Sequence, residues 1–196
     1  PDGSETSFMF ADVRHKLHAC CHGAHAMIEG LRNLVAAHDI TAQNLAALSI
    51  RVNPRWLKVC DIKAPRTGLE VKFSYVFLAA MVLHHIDTAA YQSYDDSICG
   101  NAGLIATASK ITVIGDEAIS DGAVNVSADT QTGVRHTTDF DLMDPIDLSV
   151  LGPRLVAKAS VLIGPARAEK IWESMDDLDS MPAAQMARCL QPLQNA

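Results

Sequence analysis

The sequence predicts an α+β fold: a small antiparallel sheet with helices packed on it, followed by a helical tail. Three observations predict it. Helix-like and strand-like patterns are mixed through most of the chain, Gly133 separates two alternating segments typical of a hairpin, and only helical patterns follow Pro145. We therefore expect a leader segment over residues 1–22 that carries a Lys/His cluster, an α+β domain over 23–145 and a helical tail over 146–196.

The first elements follow from hydrophobic spacing. Residues 1–13 are polar and then apolar, which predicts a leader with a short extended piece. A helix is expected from Gly23 to about His38, because apolar side chains recur at intervals of three and four. Residues 45–52 are rich in branched apolar side chains and predict a strand, which the following Pro54 ends.

The middle of the chain predicts two helices and a strand. An apolar stripe predicts a long helix over residues 70–85, and Thr67 with Glu70 three residues later is typical of a helix cap. A short helix is expected over residues 90–98. Alternation over residues 110–114 predicts a strand.

The last part of the chain predicts a hairpin and then helices alone. Residues 123–129 and 134–140 alternate on either side of a turn that contains Gly133, and glycine suits such a tight turn. Three helical segments are predicted to form the tail: residues 148–163, 166–178 and 183–190.

The charge of the chain is uneven. Its formal net charge is −7, yet residues 1–72 hold nine Lys and Arg against seven Asp and Glu. An acidic surface repels phosphate backbones, so we expect no nucleic-acid partner. A site that holds an anion is expected in the first third of the chain.

The cysteines and the apolar runs bear on location. The five cysteines form no C-x-x-C pair, which favours reduced thiols in a cytoplasmic protein. No apolar run approaches the roughly 18 residues that a membrane span needs. No basic segment precedes a short apolar run, so we expect no secretory signal and no membrane partner.

Histidines and a lysine are concentrated near the amino end. His15, His18, His22 and His25 follow one another at intervals of three, four and three, and Lys16 lies among them. On a continuous helix these histidines would share one face. Three interpretations remain: a metal site, hydrogen-bonded structural histidines, or acid–base chemistry beside an anionic substrate. The absence of a carboxylate from the stripe disfavours the metal site.

Two long segments of the sequence are distinctive: HKLHACCHGAHAMIEGL (residues 15–31) and PRTGLEVKFSYVFLAAMVL (residues 65–83). They resemble the carboxy-terminal portion of the MmgE/PrpD family. PRWLKVC (residues 54–60) and HIDTAAYQSYDDSIC (residues 85–99) are also similar to members of the family. The resemblance covers most of the chain, from about residue 14 to about residue 180.

The resemblance implies an enzyme that acts on a small di- or tricarboxylic acid. Members include 2-methylcitrate dehydratase, cis-aconitate decarboxylase and iminodisuccinate epimerase, and they join a large helical domain to a smaller, lid-like α+β domain. Elimination, decarboxylation or epimerisation beside a carboxylate builds negative charge, which protonated Lys and His side chains stabilise. This chemistry requires no organic cofactor. The resemblance also implies that the isolated chain is inactive, because other catalytic residues lie in the amino-terminal half of the family. A homodimer is expected on a separate ground, since the apolar stripe of the tail must be covered.

The resemblance assigns roles to four residues. Lys16 is expected to be catalytic as an anion-binding or proton-relay group, and His22 as an acid or base. Some members place their histidine one residue earlier, at the position of Cys21. His25 and Lys72 are expected to bind substrate, although His25 could instead be structural, and Lys72 and its neighbours could instead belong to the helix cap. Two other functions remain open: a non-catalytic domain that associates with itself or with a partner, and a histidine-rich metal binder.

Overall fold

A computed structural model describes residues 14–191. The extended piece predicted within residues 1–13 lies outside the described residues. In the described part the α-helices are α1 (His25–His38), α2 (Pro54–Cys60), α3 (Gly68–Val71), α4 (Tyr75–Leu83), α5 (Ala102–Ala108), α6 (Leu148–Ile163), α7 (Pro165–Glu173) and α8 (Ala183–Leu190). The strands are β1 (Leu45–Val52), β2 (Ile111–Gly115), β3 (Ala123–Thr130) and β4 (Arg135–Asp141).

The strands form one sheet in the order β2-β1-β3-β4. The pairs β1–β3 and β3–β4 are antiparallel, whereas β1 and β2 are parallel. A parallel pair needs a long crossover, and helices α2 to α5 lie within it. The α+β class is therefore confirmed. The sheet is mixed rather than wholly antiparallel, because this crossover brings the chain back in the same direction.

Helices α1 and α4 form the core of the domain together with the sheet. Helix α1 packs on β3 and β4, and α4 packs on α1, α5 and β2. Every side chain of α4 is buried, so this helix lies at the centre of the domain rather than presenting one apolar stripe. The observed end of α1 at His38 agrees with the sequence prediction, and Asp39 follows in the left-handed conformation.

The long helix predicted over residues 70–85 is in fact two helices. Ser74 is the N-cap of α4, and its side-chain oxygen accepts a hydrogen bond from the Phe77 N–H at 3.3 Å. The Phe73 carbonyl accepts a hydrogen bond at 3.2 Å from the N–H of Ile62, which lies in the loop after α2. These local and long-range bonds replace the continuous helical ladder, so the chain turns between α3 and α4.

The cap predicted at Thr67 is confirmed. Its hydroxyl accepts a hydrogen bond from the Glu70 N–H at 3.2 Å, and the Glu70 carboxylate accepts one from the Arg66 N–H at 2.7 Å. Gly68 is required here because a Cβ at this position would lie 1.6 Å from the Tyr94 carbonyl oxygen. The start of α3 is therefore packed directly on the backbone that precedes α5.

Two elements differ from the sequence prediction. Pro54 ends β1 as expected but also opens α2, and the Asn53 side chain accepts a hydrogen bond from the Arg55 N–H at 3.1 Å. An N-cap asparagine followed by proline is a helix-start signal. The helix predicted over residues 90–98 consists instead of two short 3₁₀ helices, because the Asp95 side chain caps the second one and interrupts the run.

The hairpin and the tail agree with prediction. Gly133 has a φ of 83° in the turn between β3 and β4, a conformation that favours glycine. The bounds of α6 and α8 agree with the predicted segments, while α7 ends at Glu173 because turns occupy residues 174–180. Among residues 14–191, no helix combines the length and the apolar character needed to cross a bilayer.

We predict that truncation in α4 destabilises the protein strongly. Leu78 is fully buried, with 0 % of its surface exposed, so Leu78→Ala leaves a cavity in the core. We expect the free energy of unfolding, measured by urea denaturation, to fall by about 2–5 kcal/mol. The matched control is Leu69→Ala on α3, where the side chain is 66 % exposed, and its effect should stay below about 0.5 kcal/mol. Equal losses in the two variants would contradict the central position of α4.

Candidate anion-binding site

Residues 14–21, here called the histidine segment, approach the domain as non-helical chain. The Ala19 N–H donates a hydrogen bond to the Thr88 carbonyl at 2.8 Å, and the Cys21 N–H donates one to the Lys72 carbonyl at 3.0 Å. These donors are paired with distant carbonyls, so helix α1 begins only after the segment. The four histidines therefore do not share one face of a continuous helix; α1 begins at His25, close to the start predicted at Gly23.

A buried polar network attaches the histidine segment to two helices. His18 Nε2 lies 2.8 Å from Glu29 Oε1 on α1, and Arg154 on α6 donates a hydrogen bond to the same oxygen at 2.6 Å. His18 Nδ1 lies 2.7 Å from the Thr88 hydroxyl. His18 and Glu29 are almost fully buried. The network thus joins the segment, the α+β domain and the tail at one carboxylate.

The charges of this network follow from its contacts. Burial by itself would raise the pKa of Glu29, but hydrogen bonds from His18 and Arg154 outweigh it and lower the pKa to about 2. Burial lowers the pKa of His18 below its ordinary value despite its bond with Glu29. At neutral pH a neutral His18 therefore donates from Nε2 to the ionised Glu29 and accepts at Nδ1 from the Thr88 hydroxyl.

A concavity of about 510 Å³ lies beside the histidine segment and is here called the basic concavity. Its wall is formed by the segment, by the turn between α3 and α4, and by α6. The residues that line it are Lys16, His18, Ala19, Cys20, Cys21, His22, Leu69, Lys72, Phe73 and Lys158. Three lysines and His22 line this space, and no Asp or Glu is among its described lining residues; His18 also borders it, but both of its ring nitrogens are engaged by Glu29 and Thr88. Such a donor set is suited to an anion.

The lysines come from three separate parts of the chain. Lys72 lies at the turn between α3 and α4, with Nζ 5.0 Å from the centre of the Tyr94 ring. Lys158 on α6 directs its ammonium group to the backbone carbonyls of Lys16 and His18. The turn between α3 and α4 and helix α6 therefore both contribute positive charge to the basic concavity.

Burial and neighbouring charge also act on the bases of the basic concavity. Burial lowers the pKa of His22, and the positive charge of Lys16 lowers it further. The same two causes, in the same order, lower the pKa of Lys158. At neutral pH His22 is thus a neutral imidazole, which can accept a proton beside cationic groups.

A second cavity, of about 300 Å³, also borders the histidine segment. We call it the histidine cavity; His18, His22 and His25 line it together with apolar side chains such as Phe140 and Leu142. His25 is 1 % exposed, and its Nε2 has no hydrogen-bond partner within the described residues. Burial, followed by charges from neighbouring histidines and lysines, lowers the pKa of His25 to about 3.

The structure thus separates the four residues expected at the site. Lys16, His22 and Lys72 line the basic concavity together. His25 lines only the histidine cavity, although its ring lies 5.4 Å from that of His22, which borders both spaces. Sequence reasoning assigned no site role to Lys158, since nothing in the helical pattern of the tail shows that this lysine reaches back to the histidine segment.

The metal-binding alternative finds no support in the described part of the chain. Within residues 14–191, no group of three or more His, Cys, Asp or Glu side chains has the arrangement needed to hold a metal ion. The adjacent Cys20 and Cys21 are free thiols, and burial raises the pKa of Cys20 to about 12. A thiol with so high a pKa is a poor metal ligand at neutral pH.

Comparison with protein families identifies the family of this chain. The model of the MmgE/PrpD C-terminal domain matches residues 18–143, which is more than half of the chain. The chain belongs to the MmgE/PrpD family. No match was found among curated proteins. The matched part of this MmgE/PrpD chain includes His22, His25 and Lys72, whereas Lys16 lies just before it and Lys158 lies after it.

The MmgE/PrpD family is in general a family of enzymes. The match ends shortly before α6. Arg154, which joins α6 to Glu29 on α1, and Lys158, which joins α6 to the histidine segment, therefore lie outside the residues that the family model matches.

We predict that Glu29 makes folding stability depend on acid pH. Its pKa is about 2 in the folded chain against an ordinary 4.5, so its stabilising contribution is present above about pH 4.5 and is lost as the pH falls through about 2. A shift of this size corresponds to about 3 kcal/mol. Urea denaturation at several pH values should show a shallower acid loss of unfolding free energy in Glu29→Gln than in the unmodified chain.

The matched control for this measurement is Glu117→Gln, which changes an exposed glutamate in the same way. Because the pKa of His25 is lowered, all three proteins lose stability between about pH 6.5 and 3. The pKa of His18 is also lowered, and Glu29→Gln removes the carboxylate that raises it, so the contribution of Glu29 is read from about pH 4.5 downward. If Glu29→Gln and the unmodified chain show the same pH profile, Glu29 does not carry the ionised, hydrogen-bonded role described above.

Proposed function

We propose that the chain is the carboxy-terminal part of an MmgE/PrpD-type enzyme that acts on a small di- or tricarboxylic acid. The reaction is proton abstraction with elimination, decarboxylation or epimerisation, next to a carboxylate. The observation that carries this proposal is the basic concavity, which three lysines and His22 line and to which the described part of the chain contributes no carboxylate. In a chain of net charge −7, such a local excess of positive charge favours an anionic ligand.

The roles within this proposal follow from the chemistry of each group. Lys16 and Lys72 bind substrate carboxylates and stabilise the negative charge that develops beside them. His22 is neutral because burial and Lys16 lower its pKa, so it takes up or returns the proton. His25 contributes to substrate binding through the histidine cavity, which shares His22 with the basic concavity.

The tail is proposed to complete a helical domain. It exposes large apolar side chains, among them Leu148 on α6, Leu178 in the turns after α7 and Leu190 on α8. Exposed apolar surface of this kind marks an interaction site. We propose that residues 146–196 pack against polypeptide from the amino-terminal half of the enzyme, which also supplies the remaining catalytic groups.

The binding of a polycarboxylate by the 196-residue chain tests the proposal. We expect propane-1,2,3-tricarboxylate to shift NMR signals of residues around the basic concavity, and its uncharged trimethyl ester to leave them unchanged. Lys16→Met and Lys72→Met should each weaken binding about tenfold, the effect of removing one charge-assisted contact of about 1.4 kcal/mol. The matched control is Lys58→Met, at an exposed lysine on α2.

Two outcomes would contradict the proposal. Equal binding of the ester would show that carboxylate charge is not recognised, and an equal loss in the Lys58→Met control would show that only the overall charge matters. The same chain should show no turnover of 2-methylcitrate or cis-aconitate, since the proposed catalytic set is incomplete. Robust turnover would remove the argument for a second half of the site.

The exposed apolar side chains of the tail also favour a second function, association of the chain with itself. Val161 and Leu162 on α6 are at least 40 % exposed, as is Trp172 on α7. A homodimer through this surface would remove these side chains from water. Self-association would then be a property of the domain that needs no catalysis.

Light scattering at low protein concentration tests this second function, because it measures whether the chain is a dimer or a monomer. A dimer is expected, and Leu162→Arg should convert it to a monomer because a charge cannot be buried there without a partner. The control is Leu69→Arg, at an exposed leucine on α3 outside the tail. A monomer in the unmodified chain would contradict self-association.

A further inference from the structure

Lys158 connects the tail to the site in a way that nothing in the family match assigns. It lies on α6, beyond the matched residues, and its Nζ donates hydrogen bonds to the carbonyl oxygens of Lys16 and, at 3.4 Å, His18. It also lines the basic concavity. One side chain therefore both holds the backbone of the histidine segment and presents positive charge to the proposed ligand space.

A second contact from the same face of α6 fixes the position of Lys158. Arg154 lies one helical turn earlier, and residues four apart on a helix share a face. It donates a hydrogen bond at 2.6 Å to Glu29, which His18 also contacts. Helix α6 is thus attached to the histidine segment and to α1 at two points, so the Lys158 ammonium group is held at the concavity rather than free in solvent.

The ammonium group of Lys158 keeps its charge uncompensated by an acid. Within residues 14–191, no carboxylate forms an ion pair with it, and its hydrogen-bond partners are neutral carbonyls. An ammonium group has three donors, and two are directed at the backbone. One donor therefore remains for a ligand, and the nearby positive charge of Lys16 makes an anion favourable there.

We propose that Lys158 is a ligand-binding residue that selects for a third carboxylate. Lys16 and Lys72 bind two carboxylates of the ligand, and Lys158 binds the third while it stays anchored on the histidine segment. This inference rests on the proposed polycarboxylate function. It makes the tail helix part of the binding site and gives that helix a role beyond covering apolar surface.

The test compares ligands that differ by one carboxylate. NMR titrations of the 196-residue chain measure the affinities for propane-1,2,3-tricarboxylate and for succinate. We expect the unmodified chain to prefer the tricarboxylate about tenfold, the effect of one charge-assisted contact. In Lys158→Met this preference should disappear, with affinity for succinate changed less than about twofold. Lys158→Arg, which keeps the charge, should retain most of the preference.

Lys110→Met is the matched control for a structural effect. Lys110 also donates to two backbone carbonyls, those of Ala42 and Leu45, but it does not line the concavity. Its loss should leave the preference for the tricarboxylate unchanged. If Lys158→Met does not fold, Lys158→Gln, which keeps a hydrogen-bond donor without the charge, replaces it in the same comparison.

The outcomes separate this inference from the function on which it rests. If the unmodified chain binds neither ligand, both are overturned. If it prefers the tricarboxylate and Lys158→Met keeps that preference, only the role of Lys158 is overturned. If Lys158→Met weakens both ligands equally, Lys158 acts only by holding the histidine segment in place, and selection by Lys158 is likewise excluded.

Discussion

One buried carboxylate holds the parts of this MmgE/PrpD chain together. Glu29 on α1 contacts His18 from the histidine segment and Arg154 from the tail. A buried carboxylate needs such partners, because an unpaired charge out of water is strongly destabilising. The same need fixes where the segment and α6 lie. The positions of Lys16 on the histidine segment and Lys158 on α6 therefore depend on this interaction.

The site is assembled at the interruptions of regular structure. Lys72 reaches the histidine segment because the chain turns between α3 and α4, and its carbonyl accepts the Cys21 N–H in that turn. The histidine segment is available to line the concavity because it is not wound into α1. The sheet and the fully buried α4 provide a rigid base, so side chains on these turns keep their positions.

Local signals predicted much of the fold and only part of the site. The hairpin at Gly133, the cap at Thr67 and the bounds of α6 depend on residues close in sequence, and the structure agrees with each. The break at Ser74 was missed because an apolar run over residues 70–85 outweighs one capping hydroxyl in any periodicity argument. The placement of His25 in a different cavity from Lys16 was also missed, since closeness in sequence does not fix which space a side chain lines.

The sequence by itself determined the α+β class, the concentration of Lys and His near the amino end, and the resemblance to the MmgE/PrpD family, because these are properties of composition and of contiguous motifs. Only the tertiary structure decided which charges meet. Lys158 lies 142 residues from Lys16, and Arg154 lies 125 residues from Glu29. Contacts at such separations arise from the packing of whole elements around a shared core, and no local pattern records them.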